Sequence, residues 1–306
     1  MRARVKGLLA TLALAAAAAL FVALVLGPSV GEGQTSTYRA PRLPGTQNPN
    51  FNGVWQAFTT ANWDVLDHSA QPGPYPQLVG AWGVQPEGRG IVEGNEIPYK
   101  PEALAKRKAN FDGRLKIDPQ NLHDSGDPEA KCYLPGVPRA MYSPYPFQIV
   151  QSRDEILMAF EFASAHRIVH TKDHRQAPVP SWMGWSNGHW EGDTLVVDVT
   201  SQNGNSWFDR AGNFASETLH VVERYTATGP DHLLYEATLE DPATFTRPWR
   251  ISFPLYRRME RNIELPKEID ARTDWEERRF GEVTGYSGPR LAAPSLVKFA
   301  SPNPAS

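Results

Sequence analysis

The sequence predicts a mainly β protein, built as an up-and-down antiparallel β-barrel or a strongly curved sheet, with a Pro/Gly-rich N-terminal covering and one or two short helices. Three observations carry this. Thr194–Thr200 alternates, with Leu195, Val197 and Val199 on one side and Val196, Asp198 and Thr200 on the other, the period-two pattern of a strand. Runs of the same kind recur through the second half of the chain, joined by short turn signals. Closing such strands on themselves removes exposed sheet edges. A lipocalin-like barrel is the first expectation and a sandwich the second.

The 306-residue chain opens on Arg2, Arg4 and Lys6, followed by an apolar run from Leu8 to Leu26 and then Gly27-Pro28-Ser29. A basic start before an apolar stretch is the pattern of an export signal, and about 20 apolar residues also suffice to span a bilayer. Residues 1–33 are expected to be a signal peptide or membrane anchor. The protein is then periplasmic or extracellular, and held at a membrane only if residues 8–26 are retained. Residues 34–50 are polar and Pro-rich and read as an extended tether. A single β-rich domain is expected over 51–285, with a disordered Ser/Pro/Ala tail over 286–306.

Within the domain, Phe51–Phe58 reads as the first strand. Residues 61–98 carry many Gly and Pro and no sustained period, which suits a covering loop of the kind that forms lids. Pro101–Asp112 is the expected helix: its proline fits the first turn, Glu102 and Lys106 stand four apart, and Gly113 offers a cap. Asp127–Arg139 is too rich in proline for a regular element. Phe147–Gln151, Ile156–Phe162 and His166–Thr171 read as three antiparallel strands. Gly188–Asp193 reads as a tight reversal into Thr194–Thr200, because glycine supplies the positive φ that hairpin turns need. Glu217–Thr226 and Leu233–Glu240 form a hairpin, Trp249–Tyr256 is the last strand, and Asp270–Phe280 is a short helix. The strands number about eight.

Register across the late strands separates two faces. Leu195, Val197, Val199, Leu219, Val221, Leu233, Tyr235, Leu239, Trp249, Ile251, Phe253 and Leu255 share one; Asp198, Thr200, His220, Val222, Arg224, Glu236, Thr238, Glu240, Arg250, Ser252 and Tyr256 share the other. In the ordinary antiparallel pattern the apolar face is core and the polar face is wet. In the alternative, the N-terminal half covers the apolar face from outside and the polar face lines an enclosed space. His220 is then the proton-transfer group, Asp198 or Glu236 its partner, and Arg224 or Arg250 the anion stabiliser. Trp182, Trp185 and Trp207, with Trp190 and His174, are the candidate ligand contacts, expected on loops where they would form an aromatic mouth.

Other motifs point elsewhere. Histidines 166, 170 and 174 are spaced four apart and form the metal alternative, although a strand through Arg167-Ile168-Val169 puts only the first two on one side. Gly184-Trp185-Ser186-Asn187-Gly188 matches the G-x-S-x-G pattern, but a nucleophile elbow needs a strand before the serine and a helix after it; a glycine-bounded loop fits better. Cys132, the single cysteine, excludes an intrachain disulfide and reads as a small buried residue more readily than as a nucleophile. A net charge of −3 gives no reason to expect nucleic acid as a partner. No cofactor is strongly implied.

The segments DPEAKCYLPGVPRAMYSPYPFQIVQ, WMGWSNGHWEGDTLVVDVT, NSWFDRAGNFASETLHVVERY and EDPATFTRPWRISFPLYRRME together resemble a broad family of uncharacterised exported bacterial β-rich proteins, over about Asp127–Glu260. The resemblance implies secretion and a β-rich domain and no mechanism. Family members carry a cysteine-containing stretch after the LYRR segment where this chain has Asn262–Lys267, so a pairing with the residue matching Cys132 does not extend here. Three functions follow as expectations. The first is an exported lipocalin-like protein binding a small, partly apolar or aromatic molecule, with or without acid/base chemistry on it. The second is a non-catalytic carbohydrate- or surface-binding module, and the third a metal-dependent enzyme using the histidines.

Overall fold

The computed structural model describes residues 38–73, 83–115, 126–260, 263 and 265. In chain order its elements are β1 (Gly53–Ala57), the short strands β2 (Gln71–Pro72) and β3 (Val84–Gln85) of a separate small sheet, and the helices α1 (Pro101–Gly113) and α2 (Arg139–Tyr142). The remaining strands are β4 (Phe147–Gln151), β5 (Glu155–Phe160), β6 (His166–His170), β7 (Trp185–Glu191), β8 (Thr194–Thr200), β9 (His220–Gly229), β10 (His232–Glu240) and β11 (Trp249–Arg257). Among the described residues nine strands close into one barrel, in the order β1-β11-β10-β9-β8-β7-β6-β5-β4. Trp55 on β1 completes the ring, pairing with Arg257 on one side and Phe147 on the other.

The expected mainly β, closed, lipocalin-like barrel is therefore present, with two differences of detail. The strand β7 occupies residues expected to be loop and turn. Its ladder with β8 runs from Trp185 opposite Thr200 to Glu191 opposite Thr194. The reversal is confined to Gly192-Asp193, with Gly192 at φ 58°, a conformation glycine adopts without a steric penalty. Ser186 thus sits inside a strand, buried, and the G-x-S-x-G match is not an elbow. The second difference is that β6 and β7 run parallel, Val169 beside Ser186. Residues 171–184 supply the crossover that parallel neighbours require, so the barrel departs from up-and-down order at that step.

Residues 39–50, expected to be a tether, are docked. Ala40 and Leu43 are buried, and the Arg42 guanidinium forks onto the Asp193 carboxylate at the β7–β8 turn. Helix α1 forms as expected and leans on the connection between β8 and β9: Arg107 Nε donates to Asn213 Oδ1 at 3.3 Å and Asn110 Nδ2 to the Gly212 carbonyl at 3.1 Å. The leader, the Asp270–Phe280 helix and the 286–306 tail lie outside the described residues. Among the described residues no helix is long and apolar enough to cross a membrane.

The apolar face points inward, and the inside of the barrel is full. Val197, Val199, Val221, Tyr235, Leu239 and Leu255 from the late strands are all buried against Trp55, Phe147, Ile149 and Met158 from the early ones. At one end α2 is a plug: all four of its residues are buried, Tyr142 packs edge-on against Phe253 with centroids 5.9 Å apart, and the Met141 sulfur reaches Tyr225 Oη at 3.5 Å. At the centre lies an ion pair that the two-face reading did not include. Arg167 Nη1 and Nη2 donate to Glu223 Oε2 and Oε1 at 2.7 and 3.0 Å, and the hydroxyls of Tyr225 and Tyr235 donate to Glu223 Oε1 at 2.9 and 2.8 Å. Both members are almost wholly shielded from solvent. Burial opposes the Arg167 charge, and Glu223 beside it more than compensates, so the guanidinium stays protonated well beyond its ordinary range.

A buried pair of this kind is destabilised most by removing one partner, which strands the other charge in a low dielectric. Glu223→Gln is expected to lower unfolding free energy by about 3–5 kcal/mol in chemical denaturation. The double variant Arg167→Met with Glu223→Leu is expected to lose far less than either single change.

Candidate functional site

Because the inner face is apolar, the polar face is outside. His220 Nε2 stands 3.0 Å from Asp198 Oδ1, Arg250 Nη2 is 3.0 Å from Glu236 Oε1, and Arg224 pairs with Glu191 at 2.9 Å. All three pairs lie on the outer wall, where Arg224 stands opposite Glu236 in the β9–β10 ladder and Arg250 Nε is also 3.6 Å from Glu93 Oε1. The side chains of His220 and Asp198 are 38 % and 46 % exposed, so the enclosed acid/base constellation expected from Asp198, His220, Arg224, Glu236 and Arg250 is not formed. The reason is packing: a face made of Val, Leu and aromatic residues gains more from burial than one made of charges.

The expected aromatic mouth is not formed either. Trp185 lies in β7 and stacks on His170, centroids 4.8 Å apart; Trp182 stacks on Tyr133 at 5.2 Å and 11°; Trp190, also in β7, packs against Phe51. Trp207 is held by its backbone bridge to Phe214. The rings of Trp182, Trp185 and Trp190 each lie against a different part of the protein. His174 Nε2 is 2.8 Å from the Gly188 carbonyl and His170 Nδ1 3.2 Å from Glu155, while His166 sits four residues before His170 along the same strand, roughly 13 Å away at the rise of a strand. Among the described residues no three His, Cys, Asp or Glu side chains are grouped to hold a metal, so the histidine metal site is not assembled. Cys132 is half-buried and in no disulfide.

A recess lies in the barrel wall. It is a cleft of about 630 Å³ lined by Gln56, Ala57, Phe58, Thr59 and Thr60, by Gly88–Ile91, by Pro144 and by Ser252, Phe253 and Pro254. Its origin is visible in the ladder. Tyr256 and Leu255 of β11 pair with Gln56 and Ala57, after which β1 ends. Further along, the Ser252 amide donates instead to the Ile91 carbonyl at 3.0 Å. Between these two attachments stands Pro254, whose nitrogen faces the same side as that of Ser252 and has no proton to give. The wall therefore opens where β11 cannot bond to β1. Phe58, 65 % exposed, hangs at the rim against Tyr256, and Phe253 forms part of the cleft's lining.

A buried polar cap holds one side of the cleft. The Ile91 amide donates to the Val65 carbonyl at 2.9 Å, and the Val65 amide donates to Asp209 Oδ2 at 2.9 Å. Asp209 is fully buried and also accepts from the Asn213 side-chain amide at 2.7 Å and its backbone amide at 3.1 Å. The same Asn213 amide reaches Asp64 Oδ1 at 3.4 Å. Alongside, Arg139 forks onto Asp127 at 2.7 Å and donates to Asn62 at 2.8 Å, and Arg210 donates to Glu129 at 3.0 Å. Burial pushes the Asp209 carboxyl up to about 7, with Asp64 adding to the rise and the three N–H donors opposing it. Burial raises Asp64 as well. For Glu129 burial acts upward, but Arg139 and Arg210 outweigh it and hold the carboxyl below its usual range.

Of the cleft residues, the strand register names Ser252 only as part of the polar face and Phe253 only as part of the apolar one, and none as a ligand contact. The signal that could have found them is Pro254 at mid-strand, since proline in a ladder marks a place where pairing stops. The Gly/Pro-rich stretch 61–98 was read as a covering, and its 88–91 segment does form one wall. No protein-family model, curated protein or solved structure matches this chain.

The raised acids set a pH dependence. A carboxyl whose folded value lies above its unfolded one keeps its proton longer in the folded state; its contribution is complete below about pH 4 and is lost as pH rises toward about 7. Asp64→Asn removes one raised acid and relieves Asp209 of its neighbour. The stability of this variant relative to the parent, measured by denaturant titration, is expected to increase from pH 5 to pH 8.

Proposed function

We propose that this chain is an exported binding protein for a small, partly apolar or aromatic molecule, held in the wall cleft and not inside the barrel. The carrying observation is the cleft itself: its volume falls within the range of small-molecule sites, and its lining mixes apolar surface with a few polar groups. The filled interior supports the same reading, because Trp55, Tyr142, Tyr225, Tyr235 and the Arg167–Glu223 pair occupy the space a barrel ligand would need. The basic start and apolar run of residues 1–33 support export, as does the resemblance of Asp127–Glu260 to exported proteins. Acid/base chemistry has no support from the outer His220–Asp198 pair, whose side chains are 38 % and 46 % exposed.

Binding of N-phenyl-1-naphthylamine, an uncharged aromatic reporter, to the full chain tests the site through its fluorescence. Phe58→Ala is expected to weaken binding roughly tenfold, the effect of losing one aromatic contact, while Trp182→Ala leaves it unchanged. Equal affinity in the Phe58→Ala variant and the parent would remove the cleft from consideration. Loss on Trp182→Ala alone would favour the aromatic-platform reading instead.

A further inference from the structure

Resting on the cleft reading above, we infer that the ligand carries an anionic group, a carboxylate or sulfonate, which Arg89 and Thr60 receive while its apolar part lies against Phe58. Arg89 is the single charged residue in the lining, and no carboxylate shares it. Among the described residues Arg89 forms no ion pair.

The position of Arg89 is fixed even though its side chain is exposed. On one side Gly88 exchanges two backbone hydrogen bonds with His68, both 3.0 Å; on the other the Gly90 amide donates to Asp67 Oδ1 at 2.7 Å and the Ile91 amide to the Val65 carbonyl at 2.9 Å. Both glycines are required by close approach. A Cβ at Gly88 would overlap the Thr60 hydroxyl, and one at Gly90 would fall 2.6 Å from the Val65 carbonyl oxygen. The backbone that carries Arg89 is thus pressed against the 60–68 segment and does not swing freely. A side chain on a fixed root loses less freedom when it engages an anion.

Thr60 supplies the second observation. Its hydroxyl is shielded from solvent and has no hydrogen-bond partner among the described residues, although a buried hydroxyl without a partner is unfavourable. Thr60 lines the same cleft as Arg89. A turn of the Thr60 side chain away from Gly88 is needed to present the hydroxyl; an acceptor oxygen brought in by the ligand would then take its proton and the guanidinium together. Nearby charges do not compete inside the recess: Asp67 is bonded to the Gly90 amide behind the lip, and Arg258, which holds Gln56, is itself paired with Glu260.

The test compares two reporters of similar aromatic frame, anionic 1-anilinonaphthalene-8-sulfonate and uncharged N-phenyl-1-naphthylamine, on the full chain. Arg89→Gln is expected to weaken the sulfonate about fivefold, the upper range for an exposed charge pair, and to leave the uncharged reporter unchanged. Raising salt from 20 mM to 500 mM should erase most of that difference, because exposed charges are screened. Thr60→Val is expected to weaken the sulfonate alone. If neither variant nor salt separates the two reporters while Phe58→Ala weakens both, the anion assignment is wrong and the cleft remains. If Phe58→Ala affects neither, the cleft reading falls and this inference falls with it.

Discussion

The bidentate pair of Arg167 and Glu223 sits where a barrel of this size would otherwise have room for a ligand. Neither charge tolerates that position alone, and the hydroxyls of Tyr225 and Tyr235 complete the acceptor shell of the carboxylate. Once these groups are in place, the inward residues of the neighbouring strands must be apolar and closely packed around them. The Met141 and Met158 sulfurs fill the remaining approach to Arg167 Nη2, as flexible thioethers do in irregular gaps. The helical plug α2 is tied to the same centre through Met141 and to the cap through Arg139.

From this follows the placement of everything else. With the interior closed, charges on alternate positions have only the outer surface available, which is why His220, Asp198, Glu236, Arg224 and Arg250 form surface pairs. Pairs of that kind contribute little to stability. An interruption of the wall arises where β11 changes partner from β1 to the segment around Ile91. The carboxylate cap around Asp209 keeps that second partner in place through Val65, so a buried electrostatic arrangement helps determine the shape of the cleft.

Much of the fold was legible because alternation of polarity is a strong signal. Residues 194–200, 233–240 and 249–256 carry it cleanly, and the inward assignment of their apolar members holds. The strand β7 was hidden by Gly184, Gly188 and Gly192, which read as punctuation; Gly184 and Gly192 do serve that purpose at the strand's two ends, while Gly188 lies in the strand opposite Val197. The same alternation that placed Val221 inward also places Glu223 and Tyr225 inward, and an inward carboxylate demands an inward cation. Reading the apolar members alone concealed this. The candidate site was less legible, because a cleft made by a change of strand partner depends on contacts between residues near 57, 91 and 254, and no local spacing encodes them.

The central claim is that the barrel is solid and that any small molecule is held at the gap in its wall. Hydrogen–deuterium exchange of the full chain, with and without saturating N-phenyl-1-naphthylamine, locates the molecule directly. Slowed exchange confined to residues 56–60, 88–91 and 252–254 is the expected result. Protection appearing instead in the central strands around Arg167, Glu223 and Tyr235, with the 88–91 segment unaffected, would contradict it.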